Sequence, residues 1–234
     1  MKLYKLFFLI LTLSISWASA QFHELGVFVG GSNYVGDVGD TKYINPNSMA
    51  FGLLYKWNRN ERYSFRAGIN ISNIQASDLQ TNDLNRLGRQ YQFKNNIKEA
   101  VVGIEINFVD FDLLSPKRQF SPYIFTGLGY VQHELFYFLN DNPNIPKVVS
   151  YGKKGSLVLP FSVGLKGNPT KKISLGAEIG VRYSMTDNID GSDPINLYSE
   201  NEELKFGNLG NNDWYIFTGL TISFTFGKLP CYCK

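Results

Sequence analysis

Beyond residue 20 the sequence holds no apolar run of the roughly 18 to 20 residues that a membrane-spanning helix needs, so any crossing of a bilayer must be made by strands. Histidine is scarce. His23 and His133 are the only two in 234 residues, which leaves little for the general-base chemistry of most hydrolases. Cysteine is equally scarce, with Cys231 and Cys233 standing together near the C-terminal end. Charge of neither sign dominates. With 23 Lys and Arg against 20 Asp and Glu, the basic excess of a nucleic-acid-binding protein is missing, and no nucleic-acid partner is expected.

What is present begins with an export signal. Lys2 and Lys5 precede an apolar stretch, residues 6–15, that leads to Ala18-Ser19-Ala20, the small-residue pattern of a signal-peptidase site. Cleavage after Ala20 makes Gln21 the first residue, and without a cysteine there no lipoprotein-type anchor is expected. Loss of Lys2 and Lys5 lowers the formal charge from +3 to about +1. The expected organisation is a signal peptide over 1–20, one β-domain over 21–226 and a short tail over 227–234.

Along that β-domain the dominant period is two, which places alternate residues on opposite faces of a sheet. In residues 63–73, Tyr63, Phe65, Ala67, Ile69 and Ile71 alternate with Ser64, Arg66, Gly68, Asn70 and Ser72. Residues 156–166 repeat the pattern, with Leu157, Leu159, Phe161, Val163 and Leu165 against Ser156, Ser162, Gly164 and Lys166. Residues 173–183 set Ile173, Leu175, Ala177, Ile179, Val181 and Tyr183 against Ser174, Gly176, Glu178, Gly180 and Arg182. Less regular segments at 23–30, 49–57, 97–108, 120–132 and 214–226 bring the number to eight. Short links at 58–62, 109–119 and 167–172 alternate with long ones at 31–48, 74–96, 133–155 and 184–213, the rhythm of periplasmic turns and outer loops. The fold expected is all-β: an eight-stranded antiparallel transmembrane β-barrel of the OmpA/OmpX kind, in contact with outer-membrane lipid. A soluble lipocalin-like barrel has the same period but turns its apolar face inward.

Three features favour the membrane. With the polar face inward, Glu24, Glu99, Glu105 and Glu178 meet Lys56, Arg66, Lys166 and Arg182, four acids against four bases. Such balance is what a low-dielectric interior demands, since an unpaired buried charge costs roughly several kcal/mol. Aromatic residues gather at both ends of the apolar face: Trp57, Tyr63, Phe108 and Phe224 at the periplasmic rim, Tyr130, Tyr183 and Trp214 at the outer one. The last strand carries Gly219, Ile222 and Phe224 at the spacing of a barrel insertion signal, although Phe217 stands where that signal has a polar residue. Neighbouring strands should pair Arg66 with Glu105 and Glu24 with Lys56. An eight-stranded lumen is just wide enough for side chains to fill, so this network plugs the barrel and no diffusion pore is expected.

The remaining chemistry is sparse. His133, followed by Glu134, reads as a rim histidine with no serine placed beside it by sequence, and no catalytic residue is assigned. Gly36-Asp37-Val38-Gly39-Asp40 and Asp187-Asn188-Ile189-Asp190-Gly191 hint at calcium, but neither has the spacing of a calcium loop. They read as turn chemistry; no metal and no cofactor is expected. Cys231 and Cys233 would hang in the oxidising periplasm. Their spacing makes an internal bridge awkward, because alternate Cα atoms of an extended chain lie roughly 6.5 to 7 Å apart, and a disulfide to a partner is the other option.

Several stretches resemble a known group. The export signal, Gly30-Gly31-Ser32-Asn33-Tyr34 with Gly36-Asp37, Ser121-Pro122-Tyr123-Ile124-Phe125-Thr126-Gly127-Leu128-Gly129 and Leu159-Pro160-Phe161-Ser162-Val163-Gly164 look like the small outer-membrane barrels of Bacteroidetes, and within them are most similar to PorG-type proteins. That resemblance implies a non-enzymatic accessory component of the type IX secretion system, which supports protein secretion and gliding motility. The barrel would tether a periplasmic ring lipoprotein, with the tail as a contact. The alternatives are an OmpX- or OmpA-like surface barrel with ligand-binding outer loops, and a lipid-modifying outer-membrane enzyme.

Overall fold

A computed structural model describes residues 22–113, 115, 117–139, 146–194, 204–208 and 210–227; the leader and the tail with Cys231 and Cys233 lie outside the described residues. Eight strands run β1 (Phe22–Val35), β2 (Ser48–Asn58), β3 (Tyr63–Ser77), β4 (Gln92–Asn107), β5 (Phe120–Leu139), β6 (Lys147–Thr170), β7 (Ile173–Ser184) and β8 (Trp214–Phe226). Each pairs antiparallel with its neighbour in sequence, and β8 returns to β1, from His23 opposite Phe226 to Val35 opposite Trp214, so the sheet closes without an edge. Between β3 and β4 lies one short helix, α1 (Leu84–Arg89). The Asp83 side chain caps its start at Asn85, and Gln90, left-handed at φ 58°, ends it.

The two faces of the wall decide between the soluble and the membrane barrel. Leu25, Leu53, Ile69, Val102, Leu128, Leu165 and Leu220 stand 51–65 % exposed on the outside, while the alternate positions, charged ones included, are buried. In water such an apolar belt around a closed ring is untenable. In a bilayer it is what the solvent requires, because every strand's backbone bonds to a neighbour and only side chains meet lipid. The protein is an eight-stranded outer-membrane β-barrel.

Five of the strands outrun their expected outer ends. β1 reaches Val35, β3 reaches Ser77, β4 begins at Gln92, β5 continues to Leu139 and β6 begins at Lys147. Residues 133–155, expected as a long loop, are therefore mostly the outer halves of β5 and β6. The cause is a change of phase. In β4, Phe93, Asn95 and Ile97 point inward and are buried, whereas Lys94, Asn96 and Lys98 are exposed. Above the lipid the outside is water, so the rule inverts to apolar-in and polar-out. The outward apolar alternation stops there, although the ladder of backbone hydrogen bonds continues.

At mid-height Gly103 faces Gly127 across β4 and β5, and a Cβ on either would lie 2.1 Å from a carbonyl oxygen of the other strand. No side chain fits. Arg66 is the Cα partner of Gly103 on the other side, so the lumen at that height is left to the guanidinium.

Candidate functional site: the lumen and its outer cap

All eight predicted charges are buried, none more than 6 % exposed. Glu105 on β4 collects the lower group. Lys56 Nζ from β2 donates to it at 2.8 Å, Lys166 Nζ from β6 at 2.7 Å, and Arg66 Nη1 from β3 at 3.5 Å. The main partner of Arg66 lies across the bore: Nη1 and Nη2 donate to both oxygens of Glu178 on β7 at 2.7 and 2.9 Å, and Tyr123 Oη donates to Glu178 at 2.7 Å. A higher group centres on Glu99, which accepts from Arg182 Nε at 3.1 and 3.2 Å, Tyr215 Oη at 2.6 Å and Asn70 Nδ2 at 2.8 Å. Arg66 and Arg182 also lie over the rings of Phe125 and Phe217, at 4.8 and 5.2 Å.

One pairing differs from expectation. Glu24 and Lys56 are direct register partners, yet Lys56 reaches past β3 to Glu105, and Glu24 accepts from Asn58 Nδ2 at 2.8 Å and Ser223 Oγ at 2.6 Å. Lysine's long stem lets it join the site with two other cations, where one carboxylate is shared. The neutral partners Tyr123, Tyr215, Asn58, Asn70 and Ser223 were not anticipated. Their inward parity was the available signal, since each occupies a position alternate to the apolar belt.

Above Glu99 the lumen turns apolar. Phe28, Phe93, Ile97, Phe136, Phe138, Tyr215 and Phe217 belong to one buried cluster. The link between β7 and β8 folds down onto it: Ile189 is fully buried, Asn95 Nδ2 donates to the Ile189 carbonyl at 2.8 Å, and Phe206 packs against Tyr91 and Phe138 at 4.8 and 5.5 Å. Arg89 of α1 covers Tyr91 and Phe206 at 5.0 and 4.7 Å while it pairs with Asp78 at 2.9 Å. These contacts make a cap over the outer mouth.

Within the cap the two acidic turns dismissed separately in the sequence come together. Asp213 accepts from Tyr34 Oη and from the Ile189 amide at 2.8 Å; Asp190 accepts from the Ser192 amide at 3.0 Å; Asp37 accepts from the Asn208 amide at 3.2 Å. Burial, then the charges of Asp190, Asp37 and Asp193, push the Asp187 carboxyl up to about 8. Burial raises Asp190 and Asp213 too, Asp213 with the added repulsion of Asp190. Asp40 does not join them and pairs with Lys42 at 2.8 Å on the surface. Among the described residues no three His, Cys, Asp or Glu side chains converge as metal ligands.

His133 is not a rim residue. It faces inward and is fully buried, with Nε2 3.4 Å from Ser156 Oγ and Nδ1 3.3 Å from the Glu134 carbonyl oxygen. The serine that sequence could not place is thus beside it, brought there by the outer extension of β5 and β6. The pair lacks a carboxylate on Nδ1, and both members are buried. His23 lies at the periplasmic end, stacked between Tyr55 and Phe226.

The aromatic residues expected at the rims occupy both ends of the outer face. Tyr63, Phe108 and Phe224 are 49–58 % exposed at the periplasmic end, with Trp57 half-buried against Phe65 at 5.4 Å. Tyr130 and Trp214 are 54 and 41 % exposed at the outer end, with Tyr183 4.8 Å from Trp214.

The family described as a domain of unknown function, DUF6089, matches residues 2–234. The chain belongs to this family. No curated protein matches it. Among solved structures it is similar to Ail, the attachment invasion locus protein of Yersinia pestis, at 12 % identity over 88 % of this chain and 99 % of that one, with a TM-score of 0.46. It is also similar to Neisserial surface protein A, at 9 % identity over 89 % and 98 % and a TM-score of 0.46. The N-terminal β-barrel domain of Pseudomonas aeruginosa OprF gives 12 % identity over 87 % and 97 % and a TM-score of 0.44.

Proposed function

We propose that this barrel is a non-catalytic outer-membrane anchor that works through its rims. The observation that carries the reading is the bridging of the bore. Lys56 of β2 and Lys166 of β6 end on one carboxylate of β4, and Arg66 of β3 grips Glu178 of β7, so the lumen is spanned by side chains and offers no path to a solute. The specific role follows from the PorG-type resemblance: an accessory component of type IX secretion that tethers a periplasmic ring lipoprotein, with residues 227–234, Cys231 and Cys233 among them, as its contact. Crosslinking in native membranes, followed by identification of the captured proteins, tests this. A periplasmic lipoprotein should be recovered, and its recovery should fall when residues 228–234 are deleted. Capture of surface or extracellular partners alone would sink it.

A second reading has its own support. The outer ends of β3 to β6 form a projecting wall with a cap folded against it, which suits a surface barrel that contacts a ligand outside the cell. Protease shaving of the outer loops distinguishes the two, because it should abolish ligand binding and leave a periplasmic contact intact.

A further inference from the structure

The turn at residues 187–191 presents a set of oxygens that nothing in the barrel uses. Gly191 is left-handed at φ +78°, and a Cβ there would stand 2.7 Å from the Phe136 ring, so the turn is pressed onto the aromatic layer. Asp190 is fully buried and Asn188 is 2 % exposed. One oxygen of Asp190 holds the Ser192 amide, and Ser192 Oγ donates to the Asp187 carbonyl at 2.7 Å. Asp187 Oδ2, Asn188 Oδ1 and Asp190 Oδ2 are buried without a hydrogen-bond partner, as is Asn188 Nδ2.

Among the described residues the surroundings add negative charge and no free cation. Asp213 and Asp37 are near enough to act electrostatically on this turn. The nearby cations are engaged elsewhere: Arg89 with Asp78 and the Asp37 carbonyl, Lys205 with Asp193 at 3.2 Å. Buried carboxylates without a counter-charge take up either a proton or a metal ion. Two carboxylates and an amide oxygen are hard donors of the kind calcium prefers, and the absence of cysteine and histidine from the turn disfavours zinc.

We infer that the turn at residues 187–190 binds a hard divalent cation of the calcium class, with Asp187, Asn188 and Asp190 giving side-chain oxygens and Asp37 and Asp213 supplying charge around it. Main-chain oxygens and water complete the shell, since the carboxylates alone do not converge. The ion ties the β7–β8 link to the outer mouth. Besides the acids named, the titratable group facing the cluster is Tyr34, which donates to Asp213 and also stands beside Asp190.

The full chain, purified in detergent and stripped of metal with a chelator, provides the test. Terbium(III) should bind saturably and emit on excitation of tyrosine, with Tyr34 beside the site, and calcium but not potassium should displace it. Asp190→Asn and Asn188→Ala should each weaken binding at least about tenfold, while Asp40→Asn, on the surface, should leave it unchanged. Asp187→Asn, half-exposed, serves if Asp190→Asn fails to fold, as judged by the mobility of the unheated barrel in gel electrophoresis. The inference is overturned if terbium and calcium show no saturable binding, or if a folded Asp187→Asn or Asp190→Asn variant binds like the parent.

Discussion

Replacing Glu105 by Gln tests whether the lumen is held by charge compensation or only filled by it. Glu105 has no exposed surface and takes short contacts of 2.7 Å from both Lys56 and Lys166, whose side chains are 4 and 3 % exposed. Glutamine keeps the shape and removes the charge, leaving two ammonium groups and a share of Arg66 facing a neutral amide. Breaking one buried pair by removal of a partner costs about 3–5 kcal/mol. Because Glu105 serves two lysines at once, the upper part of that range is expected. With a urea slope of about 1–3 kcal/mol per molar, the midpoint of unfolding from lipid vesicles should fall by about 2 M, read by tryptophan fluorescence. A second change, Lys166→Met, in the Glu105→Gln background removes one stranded cation and should recover a large part of the loss, as coupled neighbours do. A midpoint equal to wild type for Glu105→Gln, or a double variant no better than the single one, refutes the reasoning.

Three further outcomes are expected. Leu53→Arg, outward in the belt and 60 % exposed, should cost roughly 2–4 kcal/mol in folding into vesicles, whereas Lys94→Leu, outward on the extramembrane part of β4, should leave folding into lipid unchanged; equal effects would contradict the phase change. The wild-type barrel in a planar bilayer should show no stepwise conductance, and a steady open channel would refute the bridged lumen. With calcium chelated, the cap should loosen as pH rises. The Asp187 carboxyl is raised from 3.8 to about 8 by burial and neighbouring acids, so the folded cap binds the proton more tightly than the open one. Its contribution is complete below about 3.8 and is lost as pH climbs through about 8. Hydrogen exchange of residues 185–194 between pH 6 and 9 should show this, and Asp187→Asn should flatten the dependence.

The part of the fold that lies in lipid was legible because one solvent imposes one rule. From Tyr63 to Ile71 and from Ile173 to Tyr183 the apolar residues face out, and the strands fall within a residue or so of the expected inner bounds, except β6, which runs four residues on to Thr170. The outer halves of β4, β5 and β6 were not legible by that rule, since water on the outside reverses which parity is apolar. Phe93 and Asn95 then look like an interruption rather than a continuing strand. The charge balance of the lumen could be counted, but not all of its partners could be deduced, because reach matters as much as register: Arg66 keeps a long contact to Glu105 on β4 but makes its main pair with Glu178 across the bore. The cap cluster was beyond a linear reading for a different reason. Asp37 and Asp187 lie 150 positions apart, and only closure of β1 against β8 brings their turns to one mouth.

The unequal strand lengths argue for where contact with the outside is made. β7 and β8 meet near Tyr183 and Trp214 at the top of the belt, whereas β5 continues nine residues past Tyr130 to Leu139. At about 3.3 Å per residue along a strand, that extension carries one side of the barrel well above the bilayer, and β6 rises with it. The β7–β8 link leans into the concave side of this wall, with Ile189 and Gly191 on the Phe136 layer and Phe206 on Tyr91 and Phe138. Lys153 and Lys154 are exposed on the outer extension of β6, whereas Phe136 and Phe138 are buried. The contacts that hold the link there run through two carboxylates: Asp213 accepts from Tyr34 and the Ile189 amide, and Asp37, on the link after β1, accepts from the Asn208 amide, so the acidic cluster and the aromatic layer beneath it are fastened by the same residues.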